Sequence, residues 1–119
     1  MKNILVYGSL RKDHYNFNRC GKQKFVKAMK LNGYDLFSLG SYPAILEGKG
    51  DLVVELHEVD DLTHKNIQRM ELGAGYSEKP IEVDGVTASL YVFNNKNIAK
   101  TQTQVKSGDW SDFKKPLKF

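Results

Sequence analysis

At 119 residues, with 40% apolar residues and an aromatic set of 6 Tyr, 6 Phe and 1 Trp, the chain is one domain long (1–119) and carries enough apolar surface to offset ordering entropy, which excludes disorder. Its formal charge of +4 comes from 18 basic and 14 acidic residues, and the basic ones are scattered from Lys2 to Lys118 rather than gathered in a stripe with stacking aromatics, which argues against nucleic acid as a partner. No apolar run approaches the roughly 18 residues of a membrane span, the opening run after Met1 is too short for a signal peptide, and the lone Cys20 cannot close an intrachain disulfide, so a cytoplasmic setting is expected.

Ile4-Leu5-Val6-Tyr7 is an unbroken apolar run stopped by Gly8-Ser9, the pattern of a short strand buried on both faces with Tyr7 at its exit. Between Lys24 and Leu39 two patterns compete. Phe25, Val26, Ala28 and Met29 form a helical face, whereas Phe25, Met29 and Leu31 also fit a period of two, and Gly33 and Gly40 favour strands and turns in the second half. Residues 52–59 read as a half-buried strand in which Val54 and Leu56 alternate with Glu55 and His57. Asp60, Asp61 or Thr63 then caps a helix over residues 62–72, with Thr63, Ile67 and Met70 on one face and Gly73 as the stop.

Farther on, Ile81 and Val83 alternate with Glu82 and Asp84, Asp84-Gly85 is a hairpin turn, and residues 86–93 form the return strand, ended by Asn94-Asn95. The stretch 106–119, with Gly108-Asp109-Trp110 and Pro116, reads as irregular chain laid over the domain through Trp110 and Phe113. Several strands around one strong helix make an α+β fold whose mainly antiparallel sheet can curl toward a barrel.

Few residues in this frame bear chemistry. His14, His57 and His64 lack a ligand-like spacing and Cys20 has no adjacent histidine or second cysteine, so no metal site is expected and Cys20 reads as a small buried hydrophobe. Glu71, in the last turn of the expected helix, is either a solvent-facing acid or a placed base. Partial burial and the negative end of the helix would both raise its pKa above that of an ordinary glutamate. Tyr7-Gly8-Ser9-Leu10 is likewise either a plain turn after a strand or a concavity of backbone N–H groups, with Gly8 admitting the close approach of a ligand. Tyr42, Tyr76 and Tyr91 fit either the core or the lining of a pocket.

The order of these motifs resembles the gamma-glutamylcyclotransferase-like (AIG2-like) family. The resemblance rests on Val6-Tyr7-Gly8-Ser9-Leu10-Arg11 with Asn16, Gly33-Tyr34-x-Leu36, Gly40-x-Tyr42-Pro43-Ala44 and Glu55-Leu56-x-Glu58-Val59, followed by Glu71 with Tyr76, Ile81 and Val83, then Ala88, Tyr91 and Ser107-Gly108-Asp109-Trp110. It implies a small, mainly antiparallel or mixed β-barrel with flanking helices and no cofactor. The partner it implies is a small gamma-glutamyl substrate, cyclised to 5-oxoproline by its own α-amine with Glu71 as general acid and base. Tyr7, Gly8, Ser9, Leu10, Tyr42, Tyr76 and Tyr91 would line the substrate pocket, Tyr76 holding Glu71 or the substrate. Two positions depart from the family pattern: Val54 and Leu72 each stand where glycine is common, and both are expected to reshape the pocket. A scaffold that keeps the pocket only to bind, without turnover, is the other reading, and Glu71 discriminates between them.

Overall fold

The computed structural model describes residues 1–113. Six strands, β1 (Lys2–Val6), β2 (Lys24–Ser38), β3 (Pro43–Val59), β4 (Tyr76–Val83), β5 (Val86–Phe93) and β6 (Thr103–Gln104), form one mixed sheet in the order β4-β5-β1-β3-β2-β6. The sheet curls into a half-barrel, with helices α1 (Asp61–Gly73), α2 (Lys96–Lys100) and α3 (Trp110–Phe113) packed around it.

β1 lies between β3, its antiparallel partner, and β5, its parallel partner. Being central, it buries both faces. Leu5 and Tyr7 join a cluster with Leu36, Val54, Leu56, Leu90 and Trp110, while Ile4 and Val6 join Leu10, Ile67, Tyr76 and Tyr91 on the α1 side. At about 25 cal/mol per Å² of apolar surface removed from water, such two-sided burial makes β1 a large contributor to the core for its length.

The ambiguous stretch from Lys24 onward is strand throughout: β2 forms a long antiparallel hairpin with β3, broken by register shifts at Phe25/Lys27 and Asn32/Tyr34. β3 also begins well before residue 52, at Pro43. Its second half is not half-exposed, because Glu55 and His57 are as buried as Val54 and Leu56. β4 and β5 form the expected hairpin, and both turn residues take positive φ, 49° at Asp84 and 79° at Gly85, the geometry that suits a right-twisted pair.

Asp60 is the N-cap of α1, its side chain accepting from the Thr63 amide at 2.7 Å. Thr63 and Ile67 face the core, and Met70 is partly exposed at the rim of a cavity. The Ala74 amide closes the helix on the Met70 and Glu71 carbonyls. Trp110 is 2% exposed and anchors the tail, while Phe113 stacks on it with a centroid distance of 5.2 Å and stays half in solvent. Gly108 lets that tail touch β3: a Cβ there would lie 1.8 Å from the Asp51 carbonyl oxygen, and the Gly108 carbonyl accepts from the Val53 amide at 2.8 Å. Pro116 lies outside the described residues.

Candidate active site

Where β1 ends, the chain turns back at once: the Arg11 amide donates to the Gly8 carbonyl at 3.0 Å. Asn16 fixes this turn from below, its amide donating to the Ser9 carbonyl and its side-chain nitrogen to Ser9 Oγ, both at 2.8 Å. Since Ser9 Oγ accepts from Asn16, its own proton is free for another acceptor. The Ser9 and Leu10 amides have no acceptor among the described residues. Gly8 is required by space, because a Cβ there would lie 2.6 Å from Pro43 Cγ. Gly8→Ala is expected to lower stability by roughly 1–3 kcal/mol through overpacking against Pro43, read as a lower urea midpoint; an unchanged midpoint would show that the two segments are not in contact.

Opposite the turn, the last turn of α1 brings up Met70, Glu71 and Ala74. Together with Tyr7, Gly8, Ser9, Leu10, Tyr42, Tyr76 and Tyr91 they line one cavity of about 240 Å³. All eight expected site residues therefore meet in one place. Asn16, Leu39, Pro43, Leu5 and Val6 complete the wall.

Glu71 is half-buried, and among the described residues no hydrogen bond or cation compensates its charge. Burial pushes its carboxyl up to about 7. Burial also raises the Tyr7 and Tyr76 hydroxyls, with the Glu71 charge adding to both. Tyr91 is raised by burial first, then by Glu78, with Glu71 adding last. The three tyrosine hydroxyls are already committed. Tyr7 donates to the Tyr91 carbonyl at 2.6 Å, Tyr76 to the Pro43 carbonyl, and Tyr91 to Glu78 Oε1 at 2.8 Å. Of the two expected partners of Tyr76, Glu71 or the substrate, Glu71 receives no hydrogen bond from it, because the Tyr76 proton is given to Pro43. The three tyrosines supply rings and rigidity.

Glu78 steadies the helix that carries Glu71, because it also binds His64 Nε2 at 2.8 Å and Gln68 Nε2 at 2.9 Å, both on α1. Burial alone would raise the Glu78 carboxyl, but these partners and Tyr91 hold it below the usual glutamate range.

A second carboxylate network supports the turn from behind. Glu55 binds Arg11 Nε at 3.0 Å and accepts from the Lys12 amide at 2.7 Å. Arg11 Nη1 also reaches Asp109 at 2.7 Å. His57 Nε2 meets Glu55 at 3.0 Å, and Gln23 Nε2 lies 2.9 Å from His57 Nδ1 and 3.0 Å from the Leu10 carbonyl. A Gln nitrogen only donates, so His57 Nδ1 accepts, and the ring is neutral with its proton on Nε2 toward Glu55. Arg11, Glu55 and Asp109 each stand in a motif that carries the family resemblance, but no local pattern in the sequence shows that they meet or that His57 and Gln23 join them. Cys20 is partly rather than fully buried, with its Sγ 4.0 Å from Met70 Sδ.

The gamma-glutamyl cyclotransferase, AIG2-like family model matches residues 4–112, which include every element of this cavity. The chain belongs to that family. The gamma-glutamylcyclotransferase family protein YtfP of Escherichia coli is 28% identical over 110 residues, covering 92% of this chain and 96% of its own. PH0828 of Pyrococcus horikoshii is 32% identical, covering 93% and 92%, and its crystal structure superposes with a TM-score of 0.83. The solution structure of the Escherichia coli ytfP protein superposes at 0.76, covering 95% of this chain and 99% of that one. A mouse aig2-like protein at 21% identity shares the fold, with a TM-score of 0.74.

Neither Val54 nor Leu72 is among the residues that line the cavity: Val54 is fully buried in the core cluster that also holds Leu5 and Tyr7 of its wall, and Leu72 is 54% exposed next to Glu71 in the chain.

Among the described residues, no group of three His, Cys, Asp or Glu side chains is arranged to hold a metal ion, and no helix is long and apolar enough to cross a membrane.

Proposed function

We propose that the chain releases 5-oxoproline and a free amine from a small gamma-glutamyl amine, amide or peptide. The observation that carries this reading is the half-buried Glu71 carboxyl, uncompensated among the described residues, in one small cavity also lined by Ser9 and Leu10, whose amides have no acceptor among those residues. At about 240 Å³ the cavity is small beside the roughly 300–1,000 Å³ of drug-sized ligand sites, which suits a compact glutamyl group.

The substrate's α-amine arrives mainly as ammonium and gives a proton to Glu71. Its nitrogen then attacks the γ-carbonyl carbon. A C–N bond closes the five-membered ring, the proton held by Glu71 passes to the departing nitrogen as its C–N bond breaks, and the ring nitrogen then gives up its second surplus proton through the same carboxylate to the freed amine, which leaves as ammonium. No water or second reactant is consumed. A carboxyl at about 7 suits both transfers, since it is ionised often enough to accept and acidic enough to return. The Ser9 and Leu10 amides face the negative charge that develops on the γ-oxygen or the substrate's α-carboxylate, in a site where such donors count for more than in water. Because nucleophile and electrophile are already tethered, fixing the productive conformer supplies much of the acceleration.

Incubation with a panel of gamma-glutamyl amines, amides and dipeptides, with 5-oxoproline measured by chromatography, is expected to show release from at least one. Saturable binding without product across the panel would favour a binding scaffold.

A further inference from the structure

A second cavity, of about 540 Å³, opens beside the first, and Ser9, Asn16 and Tyr42 line both. Its other walls are His14, Tyr15, Arg19, Ser41 and Trp110. A gamma-glutamyl group that fills the smaller cavity with its γ-oxygen on the loop amides projects whatever is attached to its γ-carbonyl past the Ser9 turn. The wall common to both cavities begins there.

We infer that the second cavity seats the leaving amine and that Arg19 selects amines bearing a carboxylate. This rests on the cyclisation reading above and adds to it the class of leaving group.

Among the described residues, Arg19 is the one cation in that wall, and no acidic side chain is part of it. His14 does not add a second charge near neutrality, since burial and the nearby Arg11 charge both push its pKa down, against weaker pulls from Glu55, Asp109 and Asp13. The Arg19 guanidinium carbon lies 5.2 Å from the centroid of the Tyr15 ring, and among the described residues the guanidinium has no salt-bridge partner. A guanidinium held over a ring keeps its N–H edge directed sideways, the edge that binds a carboxylate with two parallel hydrogen bonds. A cationic amine in the same place would meet an uncompensated like charge. Tyr15 and Tyr42, both largely exposed, add aromatic surface to the wall, to which the buried Trp110 adds little. The occupant that satisfies both features is an α-amino acid with an apolar or aromatic side chain, so the substrate class is a gamma-glutamyl dipeptide of that kind, and polyamine conjugates are disfavoured.

Three probes separate the possibilities: gamma-glutamyl-phenylalanine, gamma-glutamyl-phenethylamine, which lacks only the carboxylate, and gamma-glutamyl-putrescine, which adds a cation. The native chain is expected to favour the first over the second by about tenfold in kcat/KM, the scale of one partly exposed charge-assisted pair, and to be slowest on the third. In Arg19→Gln the ratio between the first two is expected to fall toward one, and in Arg19→Lys to be partly kept. Equal rates on all three probes, or a ratio that survives Arg19→Gln, would overturn the assignment of Arg19 while leaving cyclisation standing. Absence of 5-oxoproline from all three would remove the cyclisation reading and this inference with it.

Discussion

Glu71→Gln is expected to lower 5-oxoproline release by about 10²–10⁴-fold, the usual contribution of a positioned acid or base, with KM changed little. The substitution keeps the shape and most of the polarity of the side chain. It breaks no hydrogen bond, because the Glu71 side chain has none among the described residues to lose. A folded variant that keeps more than a tenth of native kcat on the best substrate would show that the proton moves by another route.

The same variant has a second, independent signature in stability. Burial raises the Glu71 carboxyl from 4.5 to about 7, so between those pH values the folded chain holds a proton that the unfolded chain has released. A folded pKa above the unfolded one contributes stability that is fully present below pH 4.5 and is lost as pH rises through about 7. Glutamine cannot ionise. Glu71→Gln is therefore expected to match the native chain in stability near pH 4 and to exceed it by about 2–3 kcal/mol at pH 8, by urea unfolding. Turnover runs the other way: kcat/KM for the native chain should climb with pH through the Glu71 ionisation, because only the carboxylate can accept the amine's proton. An activity gain above neutrality thus coincides with a loss of folded-state stability, the signature of a group kept in place for its chemistry.

Much of the fold was legible because single residues punctuate it. Gly8-Ser9 ends β1, Asp60 caps α1, and Asp84-Gly85 turns the β4–β5 hairpin. β2 was not legible for a physical reason. Its first half is exposed on both sides, so no solvent boundary imposes a period of two there, and the register shifts at Phe25/Lys27 and Asn32/Tyr34 move the phase. Glu55 and His57 misled in the opposite sense. Their alternation with Val54 and Leu56 suits a wet face, yet the stretch that includes Leu10, Arg11, Phe17 and Gln23 packs over them and supplies the hydrogen bonds a polar face needs when buried. The association of Glu71 with the Gly8-Ser9 turn could be read only from motif order, since no local pattern links a helix end to a strand exit so distant in sequence. Arg19 gave no signal at all: the role proposed for it depends on a cavity whose described walls come from separate segments.

Removing the Glu55 carboxylate should cost more stability than any other single polar change in the described chain. Glu55→Ala is expected to destabilise by about 3–5 kcal/mol, because it leaves the buried Arg11 guanidinium with Asp109 as its remaining carboxylate and strips the Lys12 amide and His57 Nε2 of their acceptor. The pair Arg11→Met with Glu55→Leu, which removes both charges, should lose much less than the sum of the single changes. A cost below about 1 kcal/mol for Glu55→Ala would mean that water reaches the site and solvates Arg11. The pH dependence has the opposite sign to that of Glu71. Burial alone would raise the Glu55 carboxyl, but the Lys12 amide, Arg11 and His57 together hold it below its ordinary 4.5. His57 is held below 6.5, chiefly by burial, against the pull of Glu55. Both groups therefore contribute stability that is present above their unfolded pKa values and is lost as pH falls through the depressed ones. Acid should loosen the chain at the turn that carries Ser9 and Leu10, whose backbone Gln23, Arg11 and Glu55 hold from behind. Alkali should strain it at Glu71 instead, so the two walls of one cavity set opposite pH limits on the folded state.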